Sequence, residues 1–563
     1  MEDSGDNMTS GIPKTQYAVQ LTGPDTLALN TAKPVPQPGP HQLLCKVEAV
    51  GLCFSDLKLL KQFDAHPRKK EILSGIDPAI LREIPSYVPG TLPTVPGHEA
   101  VVRIVAAGPD TRHKVGERAL VQTDYRWLPT TGSNGSFGYD FEGGLQEYVL
   151  MDERVITSPE GESMLIPADK TLGASAIALV EPWACVEDAY VSAERTAARP
   201  GGRMLIVADP GHAIRGIEET FSPAGPPEWI ACVLAEPVEV HIGCRGCEVF
   251  ASLEELRGQT FDDAVYFGAD AGTIEHLDRM LAPHGLLNVV LGGARIGKPV
   301  SISVGRVHYG GIRIVGTSSE NAADSLGRIP PNPEIRSGEK ILVIGAAGPM
   351  GVMHVIRNLC QGVPGIEVAG TDFDEQRLAL LTEKAAPLAR KNRLRYQSIN
   401  PKENPQTPRA SYTVLMAPVP ALVAQAVEES LPNGIINIFA GIPAGVAQEL
   451  NLDAYIEKGL YFIGTSGSVL EDMRIVLRKV AQGSLDTNLS VGAVSGMKGA
   501  IEGIRAVENR TIAGKIIVYP MLHDLELTPL EDLAKKYPSG YAKLREGQWT
   551  REAEEELIAD CGS

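Results

Sequence analysis

The sequence predicts an α/β plus β protein, in which a β-rich domain precedes two tandem, doubly wound parallel domains. Three observations point there. Residues from about Tyr17 to Thr157 read as short apolar segments, among them QLLCKVEAVGLC, EAVVRIVAAG and LQEYVLM, separated by Gly and Pro in an all-β pattern. From about Gly201, strand-like and helix-like segments alternate, the order that builds a parallel sheet covered by helices. Within that region three segments recur in the same order. GGRMLIVADPG at Gly201 resembles SGEKILVIGAAG at Ser337, HGLLNVVLGG at His284 resembles NGIINIFAGI at Asn433, and GIRIVGTSS at Gly311 resembles GLYFIGTSGS at Gly459. Their offsets of 136, 149 and 148 residues are nearly constant, as a tandem duplication requires.

The chain is accordingly divided into residues 1–195 (β-rich), 196–332 (first repeat), 333–480 (second repeat) and 481–563. The last segment contains TIAGKIIVYP and a charged helical tail, and is expected to return to the first domain. A Pro-rich stretch from Ile76 to Pro96 interrupts the β-rich part and reads as a long ordered loop.

At 563 residues the chain is too long for one ordinary core. A hydrophobic content of 43% and a charged content of 22% fit a soluble globular protein. No apolar run reaches the roughly eighteen residues of a membrane span, and the acidic start, Met1 to Gly11, lacks the features of a secretory signal. The net charge of −18 repels phosphate backbones and anionic lipid, so neither nucleic acid nor membrane is an expected partner. A small anionic substrate is not excluded, because local basic groups decide that. The eight cysteines are sparse, which predicts reduced thiols and a cytoplasmic location. Cys244 and Cys247 form a single CxxC near His241 with no second pair, and read as ordinary thiols.

The strand KILVIG runs directly into the turn Gly345-Ala-Ala-Gly348-Pro349-Met350-Gly351, and the helical VMHVIRNL follows. Glycines there permit a tight turn and let the backbone approach a pyrophosphate, which the helix N-terminus favours. The next strand, IEVAGTD, ends in Asp372, 21 residues after Gly351. An acid at that place accepts hydrogen bonds from ribose hydroxyls and repels a 2′-phosphate, so NAD is favoured over NADP. Together these elements predict a Rossmann-type dinucleotide site. In the first repeat Asp209, His212 and Arg215 stand where Gly345, Gly348 and Gly351 stand in the second, although Glu236 keeps the place of Asp372. Side chains there would block a pyrophosphate, so the first repeat is expected to be structural.

Cys53 in GLCFSD, His98 and Glu99 in VPGHE, and Glu181 in ALVEPWA offer thiolate, imidazole and carboxylate. Zinc accepts all three, and a catalytic zinc keeps one position for water or substrate. Each residue alone also has a structural reading: Cys53 as a small core residue, His98 as a turn cap, Glu181 as the start of a helix. Trp127, Phe137 and Trp183 could line a sugar pocket, but such aromatics are more often core.

GLCFSD, then PGHE, then EP ahead of a dinucleotide fold resembles the zinc-containing medium-chain dehydrogenases, within them the sorbitol dehydrogenase-like polyol branch. The resemblance covers most of the chain and implies a GroES-like catalytic domain, a Rossmann domain and a C-terminal return. It implies that Cys53, His98 and Glu99 are zinc ligands and that Glu181 is the nearby carboxylate binding zinc or its water. It further implies that Ser55 passes the substrate proton, that Asp56 orients the ligand histidine, and that Arg377 touches the adenosine ribose. Several features depart from the family. No cysteine lies between Cys53 and Cys185, so the four-cysteine structural zinc lobe is absent. Lys58 stands where many relatives carry a proton-relaying histidine. The 45-residue gap from Cys53 to His98 is long, and the doubled nucleotide domain is unusual.

The resemblance implies an oxidoreductase that uses Zn2+ and NAD to act on a small alcohol, polyol, sugar or sugar phosphate, and it allows a homo-oligomer. The alternatives are a non-catalytic dinucleotide-binding sensor or scaffold and a zinc-free reductase of the same fold; the Cys53, Ser55, His98 and Glu99 set argues against both. The segments GIRIVGTSS and GLYFIGTSGS are expected to lie at an edge where relatives join two subunits. The first repeat should therefore take a partner subunit's place, with pairing near Ile312–Gly316 and Tyr461–Gly464.

Overall fold

The computed structural model describes residues 11–234 and 247–561; Glu236, His241 and Cys244 lie outside the described residues. The chain separates into two compact units, one made of Met1–Ala184 with Ser468–Ser563 and the other of Cys185–Gly467. No helix among the described residues is long and apolar enough to cross a membrane.

The first unit is built on a sheet of eight strands. Its central strand, Gln42–Gly51 (QLLCKVEAVG), is buried along almost its whole length. Such a strand needs neighbours on both sides, and Glu99–Ala107 and Tyr148–Asp152 pair with it antiparallel. Lys515–Val518, from the C-terminal segment, adds through Val518 to Val50 and Ile517 to Gly51. The strands beside GLCFSD and PGHE thus pair with each other, and a strand from the C-terminal segment extends their sheet. The stretch Ile76–Pro96 carries one short helix, Pro78–Arg82, capped by the Asp77 carboxylate. A buried lysine closes this insertion: the Lys69 ammonium donates to the carbonyls of Val88 and Leu92. Burial lowers its pKa to about 8.

The second unit holds two parallel sheets of six strands each, and both repeats use the same strand order. In the first, the order across the sheet is Cys247–Phe250, Trp229–Leu234, Arg203–Ala208, Phe261–Phe267, Leu281–Val290 and Arg313–Thr317. In the second it is Arg395–Ile399, Glu367–Thr371, Lys340–Ile344, Tyr412–Leu415, Ile435–Ile438 and Tyr461–Ile463. Each runs third, second, first, fourth, fifth, sixth in chain order, the doubly wound arrangement with its switch point beside the first strand. The repeats differ after that first strand. In the second repeat a helix, Pro349–Cys360, follows the glycine turn. In the first, Ala208 is followed by a loop and a single 3-10 turn, Glu218–Thr220. Pro210, Gly211 and Gly216 in that stretch disfavour a helix.

The repeats share one hydrophobic core, to which Ile302, Val307 and Ile314 contribute from the first and Leu450, Ile456 and Phe462 from the second. The expected backbone pairing between Ile312–Gly316 and Tyr461–Gly464 is not what joins them. Those edge strands adjoin, but side chains bridge them. Tyr455 donates its hydroxyl hydrogen to the Ile314 carbonyl (2.8 Å) and accepts the Phe462 N–H (3.0 Å). Arg313 reaches the Gly464 carbonyl at 3.3 Å. The backbone ladder forms instead between Val300–Ile302 and Gln448–Leu450, antiparallel, with Val300 opposite Leu450, Ser301 opposite Glu449 and Ile302 opposite Gln448. An offset of 148 residues carries Val300 to Gln448 and Ile302 to Leu450, so equivalent residues exchange places across a local twofold axis at Ser301 and Glu449. This is the isologous pattern of a homodimer contact, here within one chain.

Two glycines keep this contact close. A Cβ at Gly316 would stand 2.6 Å from Ile456 Cγ1, and one at Gly464, its equivalent, 2.8 Å from His308 Cα. The second neighbour is backbone and cannot swing aside. Gly464→Val should therefore lower unfolding stability by about 1–3 kcal/mol, measured by chemical denaturation. An unchanged midpoint would show that the repeats are not packed this closely.

Candidate functional site

Cys53 precedes the helix Phe54–Gln62 as its N-cap, just beyond the central strand of the first unit. His98 and Glu99 stand at the start of the neighbouring strand, where Glu99 pairs with Gly51. This pairing brings Cys53, His98 and Glu99 together: one donor atom from each lies within 4.8 Å of the other two. Asp56, three residues after Cys53, fixes both ligand carriers. One carboxylate oxygen accepts the Cys53 N–H (3.0 Å), and the other lies 3.1 Å from His98 Nδ1. This contact orients the histidine ring and leaves Nε2 for the metal. Ser55 Oγ lies 3.3 Å from Cys53 Sγ. Lys58 is exposed.

Glu99 is fully buried, and its two oxygens differ sharply. Oε1 accepts a hydrogen bond from the buried Lys515 ammonium (2.5 Å). Oε2 is buried and has no hydrogen-bond partner. A buried carboxylate oxygen left unpaired is costly, and a cation beside it removes that cost. The donor set, thiolate plus imidazole plus carboxylate, is one that zinc binds. Burial disfavours the Lys515 charge, but Glu99 and Cys53 outweigh it and hold the ammonium protonated. Lys515 was not singled out from sequence. The signal available was a lysine opening the strand KIIV, whose four residues are all buried.

Glu181 lies on the helix Val180–Val191 and is buried, but it is not in the three-residue cluster. Burial, reinforced by the Glu99 charge against the opposing pull of His98, raises its pKa to about 7. Trp183 and Phe137 are core residues at 1% exposure, and Trp183 donates to Ser490 Oγ (3.2 Å). Trp127 packs against the core that contains Phe137.

In the second unit, the turn after Lys340–Ile344 has the geometry its glycines allow. Gly345 has φ +82°, and the N–H groups of Gly345 and Ala346 both donate to the Thr371 carbonyl (2.8 and 2.9 Å). A Cβ at Gly351 would stand 2.5 Å from the Gly345 carbonyl oxygen, so close packing of helix on turn requires glycine there. Gly348 caps the helix, with Pro349 and Met350 in its first turn. A Cβ at Gly348 would meet nothing nearer than 3.7 Å, which leaves the helix N-terminus approachable. Asp372 follows Glu367–Thr371 and accepts the Ala347 and Asp374 N–H groups, each at 3.2 Å. Arg377 lies 3.5 Å from the Asp374 carboxylate. The turn therefore fits a dinucleotide. At the matching place in the first repeat Asp209 accepts the Tyr266 hydroxyl, and no helix N-terminus is present.

Gly51 is a sharp test of the metal site, because a Cβ there would overlap Glu99 Oε2. Gly51→Ala should turn the carboxylate away and weaken zinc binding at least about tenfold, read by competition with a chromogenic chelator. Wild-type affinity in this variant would mean that Glu99 does not face the metal.

Residues 39–160 match the family model for the alcohol dehydrogenase GroES-like domain. An alcohol dehydrogenase of Rhizobium meliloti (strain 1021) is 31% identical over 186 residues, 31% of this chain and 45% of that protein. The mannitol-1-phosphate 5-dehydrogenase of Aliivibrio fischeri (strain ATCC 700601 / ES114) is 22% identical over 383 residues, 62% of this chain and 84% of that protein. Among solved structures, 2R,3R-butanediol dehydrogenase from Bacillus subtilis shares the fold, with a TM-score of 0.50 at 14% identity over 90% of this chain and 100% of that one. Residues 39–160 are therefore an alcohol dehydrogenase GroES-like domain in which thiolate, imidazole and carboxylate donors are gathered, and the same chain carries doubly wound Rossmann-type sheets, the combination found in its zinc-type alcohol dehydrogenase relatives.

Proposed function

We propose that the protein is a zinc-dependent, NAD-linked dehydrogenase that moves hydride between NAD and a secondary alcohol or ketone of a polyol, sugar or sugar phosphate. The observation that carries this reading is the clustered Cys53, His98 and Glu99 set with one buried, unpartnered carboxylate oxygen. A zinc ion held by these residues supplies a Lewis acid that lowers the pKa of a bound alcohol. Cys53 and His98 supply the soft and borderline donors. Asp56 holds the His98 ring in one orientation. Lys515 binds one oxygen of Glu99 and leaves the other for the metal. Ser55 would pass on the proton that the substrate hydroxyl gives up, its own hydroxyl hydrogen leaving to water as the new one arrives. Glu181 accepts or returns a proton near neutral pH, within the range its burial sets.

NAD is favoured over NADP by Asp372, whose carboxylate at the end of the second strand would repel a 2′-phosphate. Three points support the substrate class: the Glu99 and Glu181 pair, the likeness to the polyol branch, and the named reaction of the Aliivibrio relative. A polyol or sugar phosphate is compatible with the acidic chain, since only local charge acts at contact distance.

Purified protein should contain about one zinc per chain, because one ligand cluster is found among the described residues. A screen of polyols and sugar phosphates with NAD and NADP, read by absorbance of the reduced cofactor, should find turnover with NAD. Cys53→Ser and His98→Ala should each abolish that turnover, and Asp372→Ala should raise the NAD KM about tenfold while improving use of NADP. Full activity after chelation of the metal would contradict the proposal.

A further inference from the structure

Only one repeat keeps a dinucleotide turn, yet the other remains a complete six-stranded sheet. What it does follows from where one short helix sits. Val304–Tyr309, in the first repeat, lies directly on the segment after strand Ile435–Ile438 of the second. A Cβ at Gly305 would overlap the Pro443 carbonyl oxygen, and the Gly305 N–H donates to the Val446 carbonyl (3.3 Å). At the other end of the helix, a Cβ at Gly441 would stand 2.9 Å from the Tyr309 hydroxyl. His308 stacks edge-on against Tyr309 (4.6 Å between centroids) and Phe439 (6.0 Å), and Phe439 in turn meets His354 of the helix after the glycine turn (4.6 Å).

Phe439 to Gly441 follow the C-terminal end of the fifth strand. In a doubly wound sheet a dinucleotide lies across the C-terminal strand ends. Its adenosine half rests on the first three strands and its other half on the last three. Asp372 marks the adenosine side, so Gly441 belongs to the nicotinamide side. The local twofold axis places a matching helix, Leu452–Glu457, on the first repeat, where Asp453 accepts the Ile296 and Gly297 N–H groups (3.0 and 2.8 Å). That seat faces a sheet with no phosphate turn. Of the two equivalent seats, only the one carrying Tyr309 overlooks an intact crevice. Tyr309 is also 43% exposed although aromatic, so much of its surface is open to contact with a ligand.

We propose that Tyr309, supplied by the first repeat, forms part of the nicotinamide-side wall of the dinucleotide crevice in the second. The degenerate repeat then serves as a permanent half of its neighbour's site. This rests on the dinucleotide reading above.

The test uses full-length protein and two ligands, NADH and ADP-ribose, the second lacking nicotinamide. Binding is measured directly, by NADH fluorescence and by calorimetry for ADP-ribose. Tyr309→Ala should weaken NADH about tenfold and leave ADP-ribose within about twofold. Gly441→Ala, which puts a methyl group against the Tyr309 hydroxyl, should show the same selective loss. ADP-ribose binding also reports that the sheet is folded. If both ligands keep wild-type affinity in both variants, or both weaken equally, Tyr309 does not face the nicotinamide and the inference falls. If the wild-type protein binds neither ligand, the dinucleotide reading itself fails, and the inference with it.

Discussion

Much of the first unit is organised around one buried carboxylate. Glu99 sits in a sheet interior where an ion is expensive, and the fold meets that cost from two directions. One oxygen is matched by Lys515, brought from 416 residues away by the return of the C-terminal strand. The other is buried without a hydrogen-bond partner, on a residue that clusters with the Cys53 and His98 donors. Gly51 exists as glycine because the opposing carboxylate occupies the space of a side chain. Asp56 completes the arrangement by tying the backbone at Cys53 to the ring of His98, so that ligands from two strands keep one geometry. The strand Lys515–Val518 and the metal motif are therefore parts of the same structure: without that strand, Glu99 would lose the Lys515 counter-charge.

The second unit depends on a different constraint, the saturation of a sheet edge. A free edge strand exposes backbone groups and invites association. Here the equivalent edge of each repeat is covered by the other, through the ladder of Val300–Ile302 with Gln448–Leu450 and through Tyr455. The symmetry is inherited but no longer exact. Arg313 and Tyr461 are equivalent positions, and both bind the single buried Glu194: Arg313 at 2.7 and 2.9 Å, Tyr461 at 2.6 Å. A homodimer would place the same residue on both sides. The two halves have become specific to each other, which fits a first repeat that has lost its phosphate turn but kept its sheet.

The sequence made some of this visible and hid the rest for identifiable reasons. GLCFSD and PGHE were legible because ligands and their orienting groups lie within a few residues of one another. The glycine turn and Asp372 were legible because strand, turn, helix, strand and acid occur in fixed order. The tandem repeat was legible because segments recur at near-constant spacing. Lys515 was not, since its partner is remote and a lysine before KIIV looks like any strand start. The ladder between the repeats was also missed. Its strands are only three residues long, whereas the adjoining GIRIVGTSS and GLYFIGTSGS are longer and visibly repeat each other. The ladder therefore forms beside the segments that advertise it, and Tyr455 bridges those segments through the Ile314 carbonyl and the Phe462 N–H.

The most direct test of the metal assignment is zinc X-ray absorption on the purified full-length protein. The account predicts one sulfur neighbour at about 2.3 Å, from Cys53, and nitrogen or oxygen neighbours at about 2.0–2.2 Å, from His98, Glu99 and an exchangeable ligand. The sulfur shell should vanish in Cys53→Ser. A first shell of four sulfurs, or one with no sulfur at all, would contradict the site as described.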